Sequence, residues 1–461
     1  MKTTVAVTIT SGLLALTFPA TADTAPAYAA HEWGTFTSVQ GSDGELIAWN
    51  PFVTSELPDF VYDRRRPFRD AFVNRQTDLL FALGFKYGQR WLQRMETPVI
   101  YFHATNTFTV DVEVGLPDGL VTEWYPAVTT YGPAPAIKGV MEASRKSHVR
   151  WDDLLVHGLP GMVPETLPAA PQPNHYFAAR ETSANTVQVQ RTPDPEQAGE
   201  VERFLFYRGA ANFTAPLHAS IDEQGQVVLR NAGNTAMADL FVYRRRGDRA
   251  EVHHVPGLEP KEQKKVSLLA IPELGEHSLA IAELTTRLQQ SLEATGLYED
   301  EARAMINTWK ADWFDDQGLR ALYLLPQSWT DEILPLQLTP QPRELVRVMV
   351  GRAEILERTV EQKMELLLTE AQRSGGAAQI SSMVSLVERR FVDPALTRAA
   401  NVLLARERER LAKQWPEPAL TEQMKKPTLE LNRLVGSIRA QMSVRFEELK
   451  YLASAEPASA R

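Results

Sequence analysis

The chain has 461 residues, a formal net charge of −9 and no cysteine. The lack of thiols excludes a cysteine nucleophile, zinc–thiolate sites, iron–sulfur clusters and covalently attached c-type haem, and the fold must hold without disulfides. A mildly acidic chain argues against a nucleic-acid partner, which calls for a basic face, and this length can bury a core in about two or three domains.

The first segment reads as a cleavable secretory leader. Lys2 carries its one charge, Val5 to Phe18 is an uncharged, mainly apolar run, and Pro19 breaks it before small residues. That run falls short of the roughly 20 residues a spanning helix needs. Ala20-Thr21-Ala22 offers a cut before Asp23, giving a signal peptide over 1–22, and Ala27-Tyr28-Ala29 offers an alternative cut after 29. No later stretch has the length and apolarity of a transmembrane span. The expectation is an exported protein, periplasmic or secreted, that is soluble once the leader is removed.

Residues 30–200 read as a β-rich, sandwich-like domain. Val99 to Phe102 is apolar, and Phe108 to Val114 alternates with the period of a half-buried strand. Leu116-Pro117-Asp118-Gly119 turns the chain back toward Tyr125. The segment 158–200 carries Pro160, Pro164, Pro168, Pro171 and Pro173 and reads as loop. Short strand patterns recur over 201–272 with Gly- and Asn-containing turns between them, the rhythm of an immunoglobulin- or fibronectin-like unit. The arginine runs Arg64-Arg65-Arg66 and Arg244-Arg245-Arg246 read as solvated charge.

The character switches to mainly helical over 276–461, with short strands near 319–325 and 345–350 that predict a small added sheet. Ala302, Met305, Ile306, Trp309 and Trp313 mark one helix face. Thr359-x-x-Gln362 matches a capping box, Gly375-Gly376 a helix end, and Asp393-Pro394 a cap with proline at the first helical position. The fold class is therefore α+β and multi-domain, β-rich first and helical last.

Five stretches together resemble a family of exported bacterial proteins marked by a His-Glu-Trp-Gly-Thr-Phe-Thr segment near the mature N-terminus. They are His31 to Thr37, Met95 to Phe102, Thr122 to Pro126, Phe204 to Gly209 and Arg347 to Arg352. The resemblance implies a shared multi-domain architecture over most of the mature chain, and it implies no activity.

The candidate chemistry falls into three classes. Glu32, Glu96 and Glu123 each border aromatic or apolar strand residues, so they are candidate catalytic acids whose pKa burial could raise. Trp33, Trp124, Tyr125, Tyr207 and Arg208 are candidate ligand contacts, the rings suiting sugar faces. His31, His103 and His157 are candidate metal ligands assembled by folding. A copper brace at His31 needs cleavage just before it, and Thr35 breaks a His-Glu-x-x-His motif. Neither a nucleophile elbow nor a phosphate loop is present. Three readings stay open: a binding or envelope-associated protein for a glycan, peptide or envelope partner; a carboxylate- or metal-dependent hydrolase or lyase acting on an extracellular polymer; and a copper or other metal redox protein centred on His31.

Overall fold

The computed structural model describes residues 26–51, 57–64, 90–132, 147–158, 167–170, 174–192, 199–375 and 377–455. The expected leader over 1–22, much of the proline-rich segment, and Arg65 and Arg66 lie outside the described residues.

The first strands are β1 (Tyr28–Gln40), β2 (Tyr62–Asp63), β3 (Gln93–Ala104), β4 (Phe108–Leu116), β5 (Gly119–Tyr125), β6 (Thr130–Gly132) and β7 (Ser147–Val156). Then come β8 (Val187–Gln188), β9 (Val201–Glu202), β10 (Leu205–Ala211), β11 (Leu217–Ile221), β12 (Val227–Asn231), β13 (Leu240–Arg246) and β14 (Arg249–Val255). The last are β15 (Gln263–Val266), β16 (Gly275–Glu276), β17 (Gly318–Leu325), β18 (Leu336–Thr339) and β19 (Glu344–Ile355). The helices are α1 (His277–Ala294), α2 (Glu299–Lys310), α3 (Gln327–Ile333), α4 (Arg358–Ser374), α5 (Ile380–Val384), α6 (Val392–Ala412) and α7 (Ala419–Ala455).

The principal sheet has ten strands in the order β16-β14-β13-β17-β19-β1-β3-β10-β5-β2. Its central neighbours β1 and β19 run parallel, while β3 and β17 flank them antiparallel. A second sheet runs β18-β4-β7-β8-β9 with β6 on β7, and a third runs β11-β12-β15. Burial explains the sequence texture. β1 is covered on both faces, so its residues do not alternate. β4 is covered on one face, so Val110, Val112, Val114 and Leu116 are buried while Asp111 and Glu113 between them are not.

One face of the principal sheet meets a 3-10 helix (His175–Arg180), α2 and the π-helical turn Ala311–Asp315 that follows it. Tyr101 OH donates to Ala179 O at 2.6 Å, and Tyr243 OH donates to Phe314 O at 2.9 Å. The opposite face packs on the second sheet through Trp124 and Tyr131, ring centroids 4.7 Å apart. Beyond β19, α4, α6 and α7 enclose a separate core around Leu368, Leu396 and Ile438, into which Val39 and Trp49 reach from the N-terminal region. Among the described residues no helix is long and apolar enough to cross a membrane.

The architecture is β-rich first and helical last, as the sequence predicts, but its assembly differs in three ways. The expected small sheet at 319–325 and 345–350 is instead β17 and β19 at the middle of the principal sheet. The strands over 201–272 make no sandwich of their own: β10, β13 and β14 join the principal sheet, and β11, β12 and β15 form the third. Local alternation marks a strand, but distant partners decide its sheet. The expected caps also shift. α4 starts at Arg358 and α6 at Val392, neither with a side-chain cap, and Asp393 instead accepts the backbone N–H of Asn50 at 3.0 Å. Nor are the arginine runs uniformly solvated, since Arg64 and Arg244 are buried.

Candidate functional site

Two irregularities shape the middle of the principal sheet. Between β1 and β3 the register passes from Trp33↔Val99 to Thr35↔Glu96, so Gly34 opposes both Thr97 and Pro98. This is a β-bulge, a device that re-aims side chains next to functional sites. Thr97 sits in the left-handed region at φ 46° while fully buried. A β-branched residue there costs about 1–3 kcal/mol. Gly34 permits the close approach, because a Cβ at that position would lie 2.9 Å from Pro98 Cα. The same β3 bulge appears against β10, between Phe206 and Gly209, and a second bulge lies in β5, where Thr122 is the extra residue between the pairs Arg208↔Glu123 and Gly209↔Val121. There a Cβ on Gly209 would lie 2.1 Å from Leu120 O.

The bulges bring a set of buried polar groups under His175 and the π-helical turn. Thr35 pairs across the strands with Glu96, and Thr37 with Arg94. Arg94 Nε lies 3.6 Å from Glu96 Oε1, beyond hydrogen-bond reach. Arg208 Nη2 donates to Glu123 Oε1 at 2.7 Å. Arg390 pairs with Asp312, and its Nε lies 3.4 Å from Asp316 Oδ2. Arg352 Nη2 donates to Asp316 and to Glu354, each at 2.9 Å, and Arg320 Nε donates to Glu354 at 3.1 Å. A seam of ion pairs thus runs across one face from β5 to β17.

Within that seam several buried atoms have no hydrogen-bond partner: Glu96 Oε1, the hydroxyls of Thr35, Thr37 and Thr97, Trp33 Nε1 and His175 Nε2. Leaving one such group unsatisfied costs about 1–3 kcal/mol, and native folds keep few of them. Burial pushes His175 down to about 4, against the opposing pull of Asp312, with Arg208 reinforcing the fall. The imidazole is therefore neutral at neutral pH. Burial alone would raise Asp312, but the Arg390 and Arg352 guanidiniums hold it well below the usual carboxylate range.

The structure sorts the sequence-predicted acids and contacts onto two faces. Glu96, Glu123, Arg208 and Trp33 border the seam. Glu32 points to the other face, where Arg347 Nε donates to its Oε2 at 2.7 Å and Tyr207 OH donates to its Oε1. Arg347 is itself held by Asp331 at 2.8 Å and by Leu334 O at 2.6 Å. Glu32 is thus closed off by its ion pair with Arg347 and the hydrogen bond from Tyr207, away from Glu96, so the three acids are not brought together as one set. Trp124 and Tyr125 are core rings against Tyr131 and Phe60, not open sugar platforms. Sequence reasoning missed Arg94, Thr35, Thr37, Thr97 and His175. Arg94 and Glu96 carried a usable signal, since residues two apart on a strand share a face.

A second cluster lies on the same face. His31 from β1 and His103 from β3 meet Glu301, the third residue of α2. His31 Nδ1 is 2.7 Å from Glu301 Oε2, and His103 Nε2 is 2.8 Å from Glu301 Oε1. The three donor atoms lie within 4.8 Å of one another. Glu301 Oε2 also accepts the Tyr298 backbone N–H at 2.9 Å, the return half of a capping box. The Tyr298 ring covers both imidazoles, at 4.5 Å from His31 and 4.7 Å from His103. Burial would raise Glu301, but hydrogen bonds from His103 and His31 bring it down to about 2. His157 is not part of this group: its Nε2 lies 3.0 Å from Gln188 Oε1. The third place belongs to a glutamate 270 residues from His31.

No family model matches the chain, and no curated protein does. Among solved structures it overlaps the Mu homology domain of Fcho1 from Danio rerio with bound Eps15 peptide at a TM-score of 0.27 and 9% identity, covering 72% of this chain and 97% of that one. It overlaps the yeast delta-COP-I mu-homology domain at a TM-score of 0.25 and 6% identity, covering 72% and 98%. Overlap this loose carries no functional weight.

Proposed function

We propose that this is an exported binding protein that holds a small, uncharged, hydroxyl-rich ligand of the sugar type against the polar seam at the β3 bulge. The observation that carries this reading is the group of unpaired buried polar atoms around left-handed Thr97. The arginines and carboxylates of the seam are matched one for one, so no net charge is asked of a ligand. What is left unmatched is three hydroxyls, an indole N–H, an imidazole nitrogen and one carboxylate oxygen. Sugar hydroxyls, each donor and acceptor, complement such a mixed set. Export follows from the leader, and the position of Tyr28 and Ala29 favours the cut after Ala22. Ala29 pairs with Glu344 and His103, and Tyr28 O accepts the Arg343 N–H at 2.8 Å, so a cut after 29 would remove the start of β1.

A second reading has its own support. Glu96 Oε1 accepts no hydrogen bond, though it faces the Arg94 charge, and Glu96 stands near a neutral imidazole, the pairing of groups that general acid–base cleavage of a bound glycan would use. The experiment is a thermal-shift and calorimetric screen of mono- and disaccharides, with product analysis of each mixture. Wild type should bind one class, Glu96→Gln and Thr35→Val should lose it at least tenfold, and released reducing ends would mark the second reading. If no saccharide binds, or both variants bind as wild type does, the assignment is wrong. Binding of peptides alone would move the protein to a different partner class.

A further inference from the structure

We infer that His31, His103 and Glu301 form a binding site for a divalent first-row transition cation of the zinc type. Other buried glutamates of this protein are compensated by arginine: Glu32 by Arg347, Glu123 by Arg208, Glu202 by Arg180 and Glu354 by Arg320. Glu301 is equally buried, and its recorded ion partners are two imidazoles. A carboxylate in low dielectric needs a countercharge, and a cation between the three side chains supplies it.

The chemistry and geometry agree. Two imidazoles and one carboxylate make a common zinc donor set that leaves an open position, with bonds of about 2.0–2.2 Å. Donors on one ion with such bonds sit about 3 Å apart; here each imidazole nitrogen lies 2.7 or 2.8 Å from one of the two Glu301 oxygens and all the donor atoms lie within 4.8 Å of one another, so an ion draws the set together by a small side-chain rotation. The ligands come from three elements whose positions are fixed independently. β1 and β3 are locked by their ladder, and the Tyr298 N–H orients Glu301 from behind as an outer-shell partner does. One side stays open. His103 keeps some solvent contact, and Tyr298, 43% exposed, forms the rim. An ion can therefore enter past Tyr298 and keep a coordination position for water or another small ligand. In an exported chain without cysteine, imidazole and carboxylate are the strong donors available.

The test uses the full mature protein, freed of metal by a chelator and titrated with Zn²⁺ by calorimetry and with Co²⁺ by visible absorption. The expected result is one equivalent per chain, with a Co²⁺ spectrum of nitrogen and oxygen coordination. His103→Ala and Glu301→Gln should each weaken Zn²⁺ about a hundredfold or more, and His157→Ala should bind as wild type does. Wild type that takes up neither ion reduces the cluster to a hydrogen-bonded clamp between α2 and the sheet and overturns the inference. Unchanged affinity in His103→Ala overturns it equally. Should Glu301→Gln fail to fold, the wild-type titration and the partly exposed His103 still decide the matter.

Discussion

At the scale of single residues, Thr97 is where conformation is held against its own preference. Glycine takes the left-handed region without steric cost, so Thr97→Gly should raise unfolding free energy by about 1 kcal/mol in urea melts. The same change removes a hydroxyl from the seam and should weaken the ligand. A variant that loses stability would show that Thr97 is a packing residue only. His175 gives a pH test. Its folded value of about 4 lies below the ordinary 6.5, so between those pH values the unfolded chain binds a proton that the folded chain refuses. Wild type should lose stability as pH falls from about 6.5 to 4, with no contribution from this group above that window. His175→Gln should flatten that slope, and an unchanged slope would sink the assignment. Some of this was legible in the sequence. Glu96 stood out by its aromatic and apolar neighbours, and His31 and His103 were sensible ligand candidates. Thr97 was not legible, because a bulge is a property of two strands. Nor was Glu301, whose partners are fixed by contacts across 270 and 198 residues.

At the scale of elements, the site exists because β3 and β5, the two neighbours of β10, both carry a bulge. The glycines are what allow it. Gly209→Ala would place a methyl against the Leu120 carbonyl at 2.1 Å, backbone against which no side chain can yield. It should cost roughly 1–3 kcal/mol and disturb Arg208 and its pairing to Glu123. An alanine variant with wild-type stability and ligand binding would mean that the bulge has no role in aiming Arg208. Elements differed in how well they could be read. β4, covered on one face, keeps an alternating pattern and was plain. β1, covered on both, was recognisable as a strand but its neighbours were not. β17 and β19 were found as extended runs, yet their place at the middle of the sheet follows from pairing with β13 and β1, which no local pattern carries.

At the scale of the whole molecule, the order of β-rich then helical regions was legible from periodicity, while the division into separate units was not. The principal sheet draws strands from residue 28 to residue 355, so cutting the chain by composition cuts across it. The proposed leader is tested at this scale too. Mass spectrometry of the exported protein should find Asp23 as the first residue. A chain beginning at Ala30 lacks Tyr28 and Ala29 of β1 and should melt at a lower temperature. An exported protein that starts at Ala30 with full stability would reverse the choice of cleavage site.

The parallel pairing of β1 with β19 has a consequence for the order in which the chain is made. Among the described strands β1 is the first to emerge during synthesis, and its partner β19 is completed only at Ile355. Contacts so distant in sequence form slowly, because the loop between them must be closed first. The central sheet therefore cannot close until most of the polypeptide exists, and β1 waits with one edge unpaired. The proposed export would draw on such a delay, because a chain whose central sheet is still open can be threaded through a narrow translocation channel. The same delay gives a chaperone a defined target, the unpaired edge of the first strand.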